Sequence, residues 1–110
     1  MGEKNSNIVM VYGTCPSLEV AKKLAKAMLE ARLVACVNLL PGMLSLYRWQ
    51  GVMEEESEIL LLAKTQRACL EPLKSLYAEL HPYDEPALVV LPVTDGLEGF
   101  LGWVAGETNG

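Results

Sequence analysis

The sequence has a single histidine, His81, and three cysteines, Cys15, Cys36 and Cys69, widely spaced and without a Cys-x-x-Cys pair. So few nitrogen and sulfur donors argue against a structural zinc site, and an odd, scattered cysteine set argues against a disulfide scaffold. Reduced thiols buried as small apolar side chains are expected instead. The nine Lys and Arg residues form no basic cluster, and the net charge is -5. Nucleic acid and anionic membrane surfaces, which need a basic stripe, are therefore poor partners. No apolar run reaches ~18 residues, so no membrane-spanning helix is expected. Met1 to Asn7 is polar and lacks the apolar stretch of a signal peptide, which makes a cytoplasmic address the expectation. No GxGxxG, Walker loop, GxSxG or HExxH motif is present. A non-enzymatic role is therefore the first reading. No composition break divides the chain, so one domain is expected over residues 1–110, with an ordered core at about 8–104.

Apolar residues, in contrast, are abundant, at 51%. That is a high share for a chain with so much surface for its volume. It suggests that part of the apolar content lies at subunit contacts.

Ile8 to Tyr12 reads as a buried strand closed by Gly13 and Pro16. Ser17 follows as a helix N-cap, and Ala21, Leu24, Ala25, Met28 and Ala31 keep helical spacing to about Arg32. Val34 to Leu40 reads as a second strand, bent at Pro41-Gly42 and resumed from Met43 to Gln50. A turn is expected over Gly51 to Glu55, then a third strand over Glu58 to Thr65. Leu70, Leu73, Tyr77 and Leu80 mark a second helix that Pro72 can enter only in its first turn and that His81-Pro82 ends. Ala87 to Val93 is a fourth strand. Asp95 and Glu98 resemble a capping box ahead of a short helix carrying Leu97, Phe100, Leu101 and Val104. The order β-α-β-β-α-β plus a terminal helix is an α+β, ferredoxin-like plan, with two helices covering one face of a four-stranded sheet. The third and fourth strands are apolar on both faces, so a partner subunit is expected on the second face.

Several stretches, in this order, are similar to the CutA divalent-cation-tolerance family. They include Thr14-Cys15-Pro16, Ala31 to Gly42, Ser45-Leu46-Tyr47-Arg48-Trp49-Gln50-Gly51, Glu54 to Glu58, Lys64-Thr65, His81-Pro82-Tyr83, Leu91-Pro92-Val93 and Phe100-Leu101-Gly102-Trp103. The resemblance implies a ferredoxin-like subunit in a tight homotrimer, with the long second and third strands pairing with neighbours. It also implies a link to copper and other divalent cations that is phenotypic as much as chemical, with no established reaction. A binding or signalling module is the function this suggests. An enzyme acting through His81, Lys64 and Glu58, or a purely structural scaffold, are the alternatives.

The same resemblance names candidate sites. In some members copper is held by a Cys in the first strand and two adjacent histidines. Here Gly13 stands where that Cys would be, Cys15 lies two residues on, and Leu80 precedes His81. A weak Cu(II) site would therefore rest on His81 and Cys15, with no organic cofactor. Cys15, read as a loop residue before a helix N-terminus, would have its thiol pKa lowered there. Tyr47 and Trp49 share one strand face by the period of two. With Glu58, Lys64, His81, Tyr83 and Trp103 they would line a small-molecule cleft where subunits meet, with Lys64 beside a carboxylate. Glu54 to Glu56, Asp84 and Glu85 read as a solvated turn and loop.

Overall fold

A computed structural model describes residues 7–109. The reading of the opening residues as free of a leader falls, apart from Asn7, outside that range. The chain forms β1 (Ile8–Cys15), α1 (Leu18–Glu30), β2 (Cys36–Trp49) and β3 (Val52–Gln66). A short 3₁₀ turn then leads into α2 (Leu70–Leu80), β4 (Leu88–Pro92) and α3 (Glu98–Gly106). The sheet order is β2-β3-β1-β4 with every neighbouring pair antiparallel, which is the split βαβ plan expected from the sequence.

Local chemistry sets each element. Ser17 is extended and its hydroxyl accepts a hydrogen bond from the Val20 amide at 3.2 Å, so α1 starts capped. Its apolar stripe, Ala21, Leu24, Ala25 and Met28, is buried. With Leu73 and Tyr77 of α2 it packs on Val11, Cys15, Leu61 and Ala63 from the two central strands. Each fully buried Leu of this layer contributes roughly 1.5–3 kcal/mol relative to exposure. Buried Thr65 is satisfied by donating to the Leu33 carbonyl at 2.6 Å. A smaller cluster joins Leu101 and Val104 of α3 to Ile8 and Ala35. The chain end is tied down as the Asn109 amide donates to the Arg32 carbonyl at 2.9 Å.

Three expectations are corrected. The first concerns the turn after β2, which has two residues, not five. Gln50 and Gly51 both take positive φ (50° and 83°), the backbone of a tight hairpin turn whose twist matches the strands. Glu54 to Glu56 therefore belong to β3 and pair with Tyr47, Leu46 and Ser45. Second, Cys15 is the last residue of β1 and fully buried, not a loop residue. Third, Asp95 does not cap α3. Its carboxylate accepts from the adjacent Gly96 amide at 2.8 Å, and Leu97 holds the cap position without a side-chain bond.

The bend at Pro41-Gly42 occurs as expected, and it is a bulge. Leu40 pairs with Leu60 while Met43 pairs with Glu58, so three steps along β2 match two along β3. Since paired residues share a face, even-numbered side chains of β2 face away from the helices before the bulge and odd-numbered ones after it. The face away from α1 and α2, which α3 covers only at its Ile8 and Gln66 end, presents Leu40 and Val89, both more than half exposed, and the arm beyond the bulge exposes Leu44, Leu46, Val52 and Met53. With the arm, the chain measures 47 × 25 × 23 Å over the described residues.

Candidate functional site

The arm, the C-terminal half of β1 and the segment after α2 enclose a cavity of about 820 Å³. The bulge supplies the first wall, because it turns Met43, Ser45, Tyr47 and Trp49 to the side shared with Glu56 and Glu58. Tyr12 and Thr14 form the floor, with the Tyr12 hydroxyl 3.9 Å from the Met43 sulfur. Tyr83, Asp84, Glu85 and Ala87 close the remaining side.

The segment after α2 is held by a short polar chain. His81 lies between two tyrosine rings, 5.2 Å from Tyr77 and 4.8 Å from Tyr83 between centroids. Its Nε2 donates to the Thr14 carbonyl at 2.8 Å, and its Nδ1 accepts from the Tyr83 amide at 3.2 Å. Those two bonds define a neutral imidazole protonated on Nε2. The Tyr83 hydroxyl then donates to Glu58 Oε2 at 2.9 Å, and Glu58 is only 5% exposed. The Tyr77 hydroxyl donates to the Ala87 carbonyl at 2.8 Å, tying the same segment to α2. It also sits where a side chain on residue 13 would go: a Cβ on Gly13 would lie 2.5 Å from the Tyr77 oxygen.

Electrostatics follow from this enclosure. Burial raises the Tyr83 phenol pKa, and its hydrogen bond to Glu58 raises it further by favouring the protonated form. Tyr47 is also raised, first by desolvation and then by the charges of Glu56, Glu58 and Glu54. Cys15 is pushed up to about 11, by burial first and by the Glu58 carboxylate second.

The predicted residues divide into three groups. Tyr47, Trp49, Glu58 and Tyr83 line the cavity. His81 is 6% exposed and stands behind it as a support. Lys64 and Trp103 are elsewhere. Within the subunit Lys64 donates to the Asn38 side-chain oxygen, not to a carboxylate, and Trp103 packs on Phe100 of α3 at 5.8 Å between centroids. His81 and Cys15 do not fit a copper site in this subunit. Both imidazole nitrogens are engaged, and the thiol is held protonated, opposite to the lowered pKa expected for it. Among the described residues no group of three His, Cys, Asp or Glu could hold a metal ion. Sequence reasoning missed Tyr12, Thr14, Met43 and Ser45; Glu56, Asp84 and Glu85, read as solvated, are exposed and border the cleft. The one available signal was the period of two, which places Met43 and Ser45 with Tyr47 and Trp49.

Fold and cavity together define a small mixed α/β domain with a four-stranded antiparallel sheet, two helices on one face and a side-chain-lined cleft at the base of a long hairpin. The profile of the family described as "CutA1 divalent ion tolerance protein" matches residues 9–107. The divalent-cation tolerance protein CutA of Thermus thermophilus is 47% identical over 100 residues, covering 91% of this chain and 97% of that protein. Its relative in Arabidopsis thaliana, the chloroplastic protein CutA, is 41% identical over 101 residues, but the chain spans only 56% of that longer protein. Among solved structures, the divalent cation tolerance protein (Cut A1) of Thermus thermophilus superposes with a TM-score of 0.91 at 45% identity, covering 93% of this chain and 99% of that one. The chain belongs to the CutA1 divalent ion tolerance family.

Proposed function

We propose that the chain is a homotrimeric binding module serving divalent-cation tolerance, and that it takes up a small-molecule ligand in the cleft between the arm and the segment after α2. The observation that carries this reading is the cleft itself. It is of ligand size, walled by Tyr47, Trp49 and Tyr83, with Glu58 already oriented by a hydrogen bond. Support for assembly comes from the sheet face away from α1 and α2, where Leu40 and Val89 are exposed, and from the apolar arm. The names of the relatives support the cation-tolerance role. We read copper as an indirect link, since His81 and Cys15 are committed to internal contacts.

Ligand-observed NMR with a metabolite collection tests the cleft. Hits that lose their signal in Trp49→Ala, at unchanged signal for a Trp103→Phe control, are expected. A collection whose hits are all indifferent to Trp49 would refute the cleft and favour a structural scaffold.

A further inference from the structure

Every charged side chain on the wall of this cavity is an acid. Glu56, Glu58, Asp84 and Glu85 line it, and among the described residues of the chain no Lys, Arg or His does. One of the four, Glu58, is nearly buried, and its hydrogen bond comes from the Tyr83 hydroxyl, a neutral donor that leaves the charge uncancelled. A buried carboxylate facing a cavity without a counter-charge is a costly arrangement unless a cation arrives. The negative field reaches the neighbouring groups: Tyr47, Tyr83, Tyr77 and Cys15 all have Glu58 among the causes that hold them protonated.

Two kinds of cation could answer that field. A bare divalent ion needs three or more donors converging on one point, and no such group exists among the described residues. The lining offers instead four aromatic side chains, Tyr12, Tyr47, Trp49 and Tyr83, around a space of about 820 Å³. Aromatic faces attract a diffuse organic cation, most of all once it is desolvated, and they contribute apolar contact that a hydrated metal ion cannot use. Resting on the reading of this cleft as a ligand site, we infer that its ligand class is a small organic cation, an alkylammonium whose charged head sits among Tyr47, Trp49 and Glu58.

The test uses the full chain in its solution assembly with Trp103→Phe, so that Trp49 is the sole indole. Choline, whose charge does not titrate, and its neutral isostere 3,3-dimethyl-1-butanol are titrated while Trp49 fluorescence and its indole NMR signal are followed. Choline should perturb Trp49 saturably and bind at least about tenfold more tightly than the isostere. Glu58→Gln should weaken choline about fivefold or more without changing the isostere. If that variant melts early, Glu56→Gln combined with Glu85→Gln, which removes charge without touching the Tyr83 bond, should weaken choline in its place. Equal binding of choline and the isostere would overturn the cation class and leave the cleft standing. Absence of any ammonium response, alongside metabolite hits that depend on Trp49, would do the same. It is also what a cleft neutralised by a basic side chain of a neighbouring copy would give. No response of Trp49 to any compound would bring down both readings.

Discussion

Gly13 and Tyr77 make a matched pair in which one residue lacks a side chain so that the other can reach the backbone. The Tyr77 hydroxyl occupies the space beside Gly13 and bonds Ala87, fixing the start of the segment that walls the cleft. Gly13→Ala should therefore destabilise the fold by about 1–3 kcal/mol, the usual range for overpacking. In a Tyr77→Phe background the same change should cost less, because the clashing oxygen is gone. Chemical denaturation of the four proteins of this cycle checks the coupling, and additive effects would contradict it. Cys15 gives a second residue-scale prediction. Its thiol pKa is raised from an ordinary 9.0 to about 11, so the folded state holds the proton more tightly than the unfolded one. The sign is thus fixed: this contribution is fully present below pH 9 and is lost as pH rises towards 11. Tyr77 and Tyr83 shift the same way and add to the alkaline loss. Melting temperatures measured from about pH 7 to 11 should fall above about pH 9, and Cys15→Ala should flatten the first part of that fall. Cys36, the one cysteine that is not buried, should be alkylated before Cys15 and Cys69 in the native protein.

At the scale of elements, the hairpin arm decides most of what is functional, and it was the element least visible in the sequence. Strands β1 and β4 and helices α1 and α2 were legible because their apolar spacing reports a buried face. The first half of β3 was not. Glu54 to Glu56 follow a glycine and carry charge, so they read as a turn, and in the isolated subunit this stretch is largely solvent-exposed. The turn itself gave no signal, because Gln50 occupies a left-handed conformation usually filled by Asn, Asp or Gly. Gln50→Asn should stabilise the arm by roughly 0.5–1 kcal/mol, since Asn tolerates that backbone better. A rise in melting temperature with unchanged circular dichroism checks it, and a fall would mean that the Gln50 side chain has a role of its own. Half of the cleft was legible, because Tyr47 and Trp49 lie two apart on one strand. The rest comes from contacts across β1 and the segment after α2, which no local pattern encodes. Lys64 and Trp103 were placed there on family likeness and find other partners within the subunit.

At the scale of the whole molecule, the arm and the sheet face away from α1 and α2 carry most of the exposed apolar surface. The radius of gyration is 14.6 Å, larger than the roughly 13 Å of a compact chain of this length, and the arm accounts for the difference in shape. An apolar limb held away from its own core is an exposed patch of the kind that marks an interaction surface. Native mass spectrometry at micromolar concentration should give a mass of three chains, in keeping with the proposed trimer. Leu40→Glu together with Val89→Glu, which charge the exposed sheet face, should lower that mass to one chain. A trimer that survives both changes would show that the assembly uses other surfaces.

The extra residue at Pro41-Gly42 has a consequence for which length changes the gene can tolerate. The insertion is what lets Met43 pair with Glu58 three residues after Leu40 pairs with Leu60. Deleting Gly42 would therefore remove only the bulge: the pairs from Met43 with Glu58 to Trp49 with Val52 stay in register, and Ser45, Tyr47 and Trp49 keep facing the cleft. Deleting one residue beyond the bulge, such as Leu44, with the pairing to β3 otherwise kept, would instead turn Ser45, Tyr47 and Trp49 to the far side. Length changes at the bulge should thus leave the site standing where a single deletion in the arm rewrites it.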